Sequence, residues 1–184
     1  MYRLPLTLVL TVMLAACAAS GSNPSEKRAT IDDMRQQVLN EIYKNKPAVR
    51  ALVNSSSGYA TFSNVNINLI FIAAGTGYGV VVDNSNGAKT YMKMGEAGIG
   101  LGAGVKDFRA LMVFETRSAM KRFIEQGWQV GANADAAAKA GDKGDAVGKE
   151  VFIDGVTVYQ ITENGVALQA TVKGAKFWVD GDLN

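Results

Sequence analysis

The sequence predicts an α+β fold: a single antiparallel, β-rich domain with N-terminal amphipathic helices and one mid-chain helix. Three observations predict it. Short β-branched and alternating runs, separated by Gly, Asn and Asp, recur from residue 58 to the end. Helical spacing replaces that period at residues 30–53 and again at 116–126. The 184 residues, 48% hydrophobic and 20% charged, suit one globular domain better than two.

Residues 1–17 read MYRLPLTLVLTVMLAAC. Arg3 gives a positive start, and residues 4–13 form an apolar core too short to cross a bilayer as a stable helix. Leu14-Ala15-Ala16-Cys17 resembles a bacterial lipobox. The resemblance implies that residues 1–16 are a signal peptide cut after Ala16, and that Cys17 becomes the acylated first residue. One acyl chain holds a membrane marginally, at about 0.8 kcal/mol per buried CH₂. A lipoprotein cysteine carries two or three long, palmitate-type chains, so its attachment is expected to be permanent. Residue 18 is alanine rather than aspartate, which under the Gram-negative sorting rule implies the outer membrane, with the domain facing the periplasm. Residues 17–29, small and polar with Pro24, read as a lipidated flexible tether. Residues 30–184 are then the domain.

Within it, residues 30–45 form an amphipathic helix, with Ile31, Met34, Val38, Ile42 and Tyr43 on one stripe and Thr30 as its cap. Pro47 ends it and opens a second helix over 47–53. Residues 58–65 read as a strand. Residues 69–74 are an apolar run, strand or buried turn. Gly75-Thr76-Gly77-Tyr78-Gly79 leads into residues 80–82. That G-x-G-x-G opens a β-branched strand, so it lacks the helix N-terminus that holds a dinucleotide pyrophosphate. Asp83-Asn84-Ser85-Asn86-Gly87 is a turn by composition, joining residues 80–94 into a hairpin. Its oxygens suit calcium, yet it lacks the downstream glutamate of an EF-hand.

The organising stretch is 95–114, GEAGIGLGAGVKDFRALMVF. Gly98, Gly100, Gly102 and Gly104 recur at the strand period, which leaves one face bare backbone. Lys106-Asp107 then interrupts, and 108–114 reads as a second strand, giving a hairpin at the centre of the fold. The bare face suits either another element packed on the glycines or a thin ligand such as an acyl chain. Thr116 caps a helix through Gln126 with Gly127 closing it, and Lys121 and Arg122 face solvent, where they suit phosphate head groups. Residue 128 opens a further strand. GDKGDAVGKE at 141–150 fails as a phosphate loop, because Glu150 stands where Ser or Thr is needed. Strands at 151–153, 156–162, 166–172 and 176–179 alternate with turns, the Asn164-Gly165 pair marking a hairpin.

Composition excludes several functions. Histidine is absent, which removes Ser-His-Asp, Cys-His and His-ligated metal chemistry. One cysteine rules out an internal disulfide and a cysteine-ligated metal. Net charge +2 argues against a nucleic-acid partner. No cofactor motif survives, and Asp107, Glu115, Asp135 and Asp142 show no spacing that singles out an acid pair.

The order of features resembles the SYLF domain family of lipid-binding proteins. The resemblance rests on residues 75–82 (GTGYGVVV), 98–105 (GIGLGAGV), 110–114 (ALMVF), the helix to Phe123, 128–134 (WQVGANA) and 158–170 (VYQITENGVALQA), spanning roughly residues 49–183. It implies an antiparallel β-rich α+β domain and phospholipid binding. Eukaryotic members bind phosphoinositides and actin, roles not expected of a periplasmic lipoprotein. The resulting expectation is a non-enzymatic, membrane-anchored envelope lipoprotein that binds phospholipid. Candidate contacts are Gly98, Gly100, Gly102, Lys121 and Arg122, and Cys17 carries the lipid. The alternative is a structural lipoprotein that binds an envelope protein partner.

Overall fold

A computed structural model describes residues 19–69, 72–98, 104–127, 129–130, 152–153, 155–162, 165–168 and 175–184. Helix α1 (Pro24–Asn45) and helix α2 (Ala48–Ser55) come first. The expected helix start at Thr30 is corrected: residues 24–29, assigned to the tether, are helical. Asn23 caps α1 by accepting from the Glu26 N–H at 3.0 Å, and Pro24 sits in the first turn, where it gives up no hydrogen bond. Glu26 reaches back to accept from the Ser22 N–H at 2.8 Å, which makes the start reciprocal. Thr30 instead donates its hydroxyl to the Ser20 carbonyl at 2.7 Å. Pro47 precedes α2, as its fixed φ predicts.

Among the described residues there are nine strands: β1 (Gly58–Leu69), β2 (Ile72–Asp83), β3 (Lys89–Gly98), β4 (Gly104–Phe114), β5 (Gln129–Val130), β6 (Phe152–Ile153), β7 (Val156–Thr162), β8 (Gly165–Leu168) and β9 (Ala175–Val179). Helix α3 (Arg117–Gln126) lies between β4 and β5. The sheet order is β5-β9-β3-β2-β1-β4-β7-β6, with β8 also on β7 and every pairing antiparallel. The expected α+β architecture is therefore present.

The centre of the sheet is not the expected one. β3 and β4 do not pair; β2 and β1 stand between them, and β1 holds the middle. Lys106-Asp107 does not interrupt β4 either. They sit opposite Asn66 and Val65, and the ladder bonds there come from backbone. Residues 72–74 and the Gly75–Gly79 segment merge into one strand, hairpinned to β1 at Leu69↔Ile72. The β2–β3 hairpin forms as expected, with Asp83 N–H on the Ala88 carbonyl at 2.9 Å and Gly87 at φ 72°. Thr116 caps α3 through the Ala119 N–H at 3.2 Å, and Gly127 ends it at φ 62°.

Strand alternation sends two sets of side chains to opposite faces. On one face Tyr59, Val80, Val82, Leu111, Val113 and Tyr159 pack beneath Ile31, Met34, Val38 and Ile42 of α1 and Val49 and Val53 of α2. On the other, Ala60, Phe62, Met92, Met94, Met112, Phe114 and Phe177 pack against Ala119, Met120 and Phe123 of α3. The sheet is thus covered on both sides. Gly79 stands opposite Phe62, and a Cβ there would overlap the Phe62 ring and the Thr61 carbonyl. That missing side chain lets Phe62 lie across β2 and meet Phe177 edge-on at 4.7 Å.

Candidate functional site: a polar cleft beside the first helix

A half-open cleft of about 280 Å³ lies between α1 and the sheet, lined by Thr30, Asp33, Met34, Gln37, Ser63, Tyr78 and Arg109. Its helical wall follows from sequence spacing, since Thr30, Asp33, Met34 and Gln37 fall at i, i+3, i+4 and i+7 on one stripe. Its sheet wall follows from register. Ser63 pairs with Tyr78 on one side and with Arg109 on the other, so the three side chains form one row across β2, β1 and β4.

Met34 is buried at the base, while Ser63, Tyr78 and Arg109 are half-buried. Neither the Ser63 nor the Tyr78 hydroxyl has a hydrogen-bond partner among the described residues. Arg109 is held loosely: its Nη1 lies 3.8 Å from Glu41 Oε2, with the side chains 36% and 40% exposed. Such a pair is worth roughly 0–1 kcal/mol, so the guanidinium is available to a stronger acceptor. One pleat further in on the same face of β1, Thr61 Oγ1 is buried without a partner among the described residues. Hydroxyls, an amide, a guanidinium and a carboxylate around a small apolar base can hold and orient a charged or dipolar group.

Charged networks close the helix–sheet interface beside the cleft. Asp32 takes Lys89 at 2.8 Å and Arg35 at 3.4 Å, and Arg35 donates to the Tyr59 hydroxyl at 2.9 Å. Tyr91 donates to the same carboxylate at 3.4 Å; burial pushes its hydroxyl above the usual tyrosine range, and the Asp32 charge adds to this. Past β9 the chain turns back under α1. Leu183 is buried there and accepts from Arg28 at 2.9 Å, while Asn184 bonds both backbone groups of Tyr91. Lys93 meets Asp180 at 2.9 Å and Asp182 at 3.4 Å; the Asp180 hydrogen bond is the main reason its ammonium titrates above the usual lysine range.

Of the residues expected from sequence, the structure describes Gly98, Lys121 and Arg122. Gly98 ends β3 opposite Ala73; Gly100, Gly102 and Cys17 lie outside the described residues. Lys121 and Arg122 are exposed on α3, across the sheet from the cleft. This basic pair is therefore not brought together with the cleft. The sheet glycines whose surroundings are described are mostly covered: Gly79 by Phe62, and Gly95 by Trp178, whose ring would sit 3.2 Å from a Cβ. Arg109, Ser63 and Tyr78 escaped the sequence reading because they are ordinary polar residues in separate strands. The one available signal was Arg109 itself, a charge on the alternating face that also carries Leu111 and Val113.

Residues 95–184 match the family described as Ysc84, Las17-binding protein actin regulator. Beta cell expansion factor A of Aeromonas veronii is 33% identical over 158 residues, a match that covers 86% of this chain. The chain spans 59% of the length of that relative.

Proposed function

The chain belongs to the Ysc84 (SYLF) family, and from that premise we propose that it is a membrane-anchored envelope lipoprotein whose domain binds phospholipid without catalysing a reaction. The observation that carries the reading is the cleft, where hydroxyls without a partner among the described residues and a loosely held guanidinium surround a half-open space of head-group size. Arginine and neutral hydroxyls suit a phosphate ester, since charge-assisted hydrogen bonds to phosphate are short and strong. Anchoring is the role of Cys17, acylated after cleavage of residues 1–16, with the domain held at the inner surface of the outer membrane.

Flotation with the full chain carrying Cys17→Ser tests the reading, because the domain must then bind vesicles without its own acyl chains. Co-migration with phospholipid vesicles is the expected result. Absence from every vesicle fraction, whatever the composition, ends the proposal.

A second reading is a scaffold that binds an envelope protein. Trp178 and Val179 are 40% and 39% exposed on β9. Among the described residues β5 pairs with β9 only at Lys176 and Ala175, so Phe177–Val179 has no strand partner on that side. An open strand edge with an exposed indole suits strand addition by a partner. In-cell crosslinking from position 178 that captures one stoichiometric protein, with no vesicle binding in vitro, favours this reading over the first.

A further inference from the structure

Two opposite charges line the cleft, Asp33 from α1 and Arg109 from β4. Asp33 lines it from α1 and has no ion-pair partner among the described residues. Two turns further along the same stripe, about 12 Å by helix rise, Glu41 touches Arg109 from the outside. A ligand in the cleft therefore meets a carboxylate on the helix wall and a guanidinium on the sheet wall, with the Ser63 and Tyr78 hydroxyls in the same row as the guanidinium.

We propose that the cleft selects phosphoethanolamine, a zwitterionic phosphate ester with a primary ammonium. Arg109, Ser63 and Tyr78 take the phosphate oxygens, and Asp33 takes the ammonium, assisted by the Gln37 amide oxygen. The inference rests on the phospholipid reading and narrows it to one headgroup chemistry. Charge balance decides among headgroups. A net-anionic headgroup meets two carboxylates, Asp33 and Glu41, with Arg109 the one cation among the described lining residues to offset them. A dipolar one satisfies both charges. Choline fails differently: its trimethylammonium has no N–H for Asp33 and is held best by an aromatic enclosure, whereas Tyr78 is the one aromatic residue lining the cleft among the described residues. An ethanolamine ammonium brings three donors.

The full chain with Cys17→Ser is titrated with three soluble esters: glycerophosphoethanolamine, glycerophosphoglycerol and glycerophosphocholine. It is then floated with vesicles rich in the corresponding phospholipids. The expected result is binding of the ethanolamine ester about tenfold tighter than either other, a single step on the affinity scale. Asp33→Asn is expected to abolish that preference while leaving glycerophosphoglycerol binding equal or tighter. Arg109→Gln is expected to weaken all three, with Arg109→Lys recovering part, and thermal midpoints of all variants should stay within a few degrees of the parent. Equal binding of the three esters, or a preference unchanged in Asp33→Asn, overturns the inference and leaves the phospholipid reading standing. Binding of the soluble ester but of no vesicle keeps the headgroup chemistry and removes the bilayer as its source. No binding of either kind overturns both.

Discussion

Thr61 and Asp83 show how single polar side chains can work against the fold or for it. The Thr61 hydroxyl is fully buried and unpartnered among the described residues, so it is desolvated without compensation. Thr61→Val keeps the shape and removes that cost; the thermal midpoint should rise by the equivalent of about 1 kcal/mol. Asp83 behaves oppositely. Its carboxylate accepts from the Ser85 hydroxyl at 2.7 Å and the Ser85 N–H at 2.9 Å, and it pairs with Arg117 at 3.1 Å. The Ser85 hydrogen bonds are the main reason it titrates below the usual carboxylate range. A depressed folded pKa contributes stability that is fully present above the unfolded value near pH 4 and is lost as pH falls through the folded one. Asp83→Asn should therefore lower the midpoint at pH 7 and converge with the parent near pH 2, read by melts across that range. The sequence marks Asp83 as a turn residue, which it is. That Arg117 at the start of α3 would reach it depends on how the hairpin meets the helix.

The elements differ in how far local signals reach. Helix α3 was legible at both ends, because Thr116 and Gly127 are capping types that act on the nearest turn. Thr116→Ala should cost about 1 kcal/mol. Gly127→Ala should cost more, since its φ of 62° is unfavourable for other residues and a Cβ would overlap the Phe177 carbonyl; chemical denaturation orders the two. The start of α1 was misplaced for a comparable reason. Asn23-Pro24-Ser25-Glu26 is a strong N-terminal signal, yet its small polar composition also suits a tether, and no apolar stripe begins until Ile31. In β2, Gly79 is where strand and core meet. Gly79→Ala should cost on the order of 1–3 kcal/mol by overpacking, and the loss should shrink when combined with Phe62→Leu, measured as a double-mutant cycle.

Among the described residues, the covered sheet leaves a cleft where α1 and three strands expose polar groups together. If the lipobox reading holds, Cys17→Ser should move the chain from the membrane to the soluble fraction of cells, while vesicle binding in vitro should survive the change. The sequence by itself determined what acts over a few residues: the kinds of element, the caps of α3, the β2–β3 turn, the family likeness, and the absence of histidine chemistry. Strand order was beyond it. The glycine-rich strands look like a natural hairpin, but β2 and β1 stand between β3 and β4, and the alternating faces of β1 bury Phe62 under α3 and Tyr59 under α1 at once. Only the tertiary structure decided that Tyr78, Ser63 and Arg109 share a row and that Asp33 faces them. Periodicity is a property of one segment, whereas a site built from four segments exists only once their pairing and packing have been chosen together.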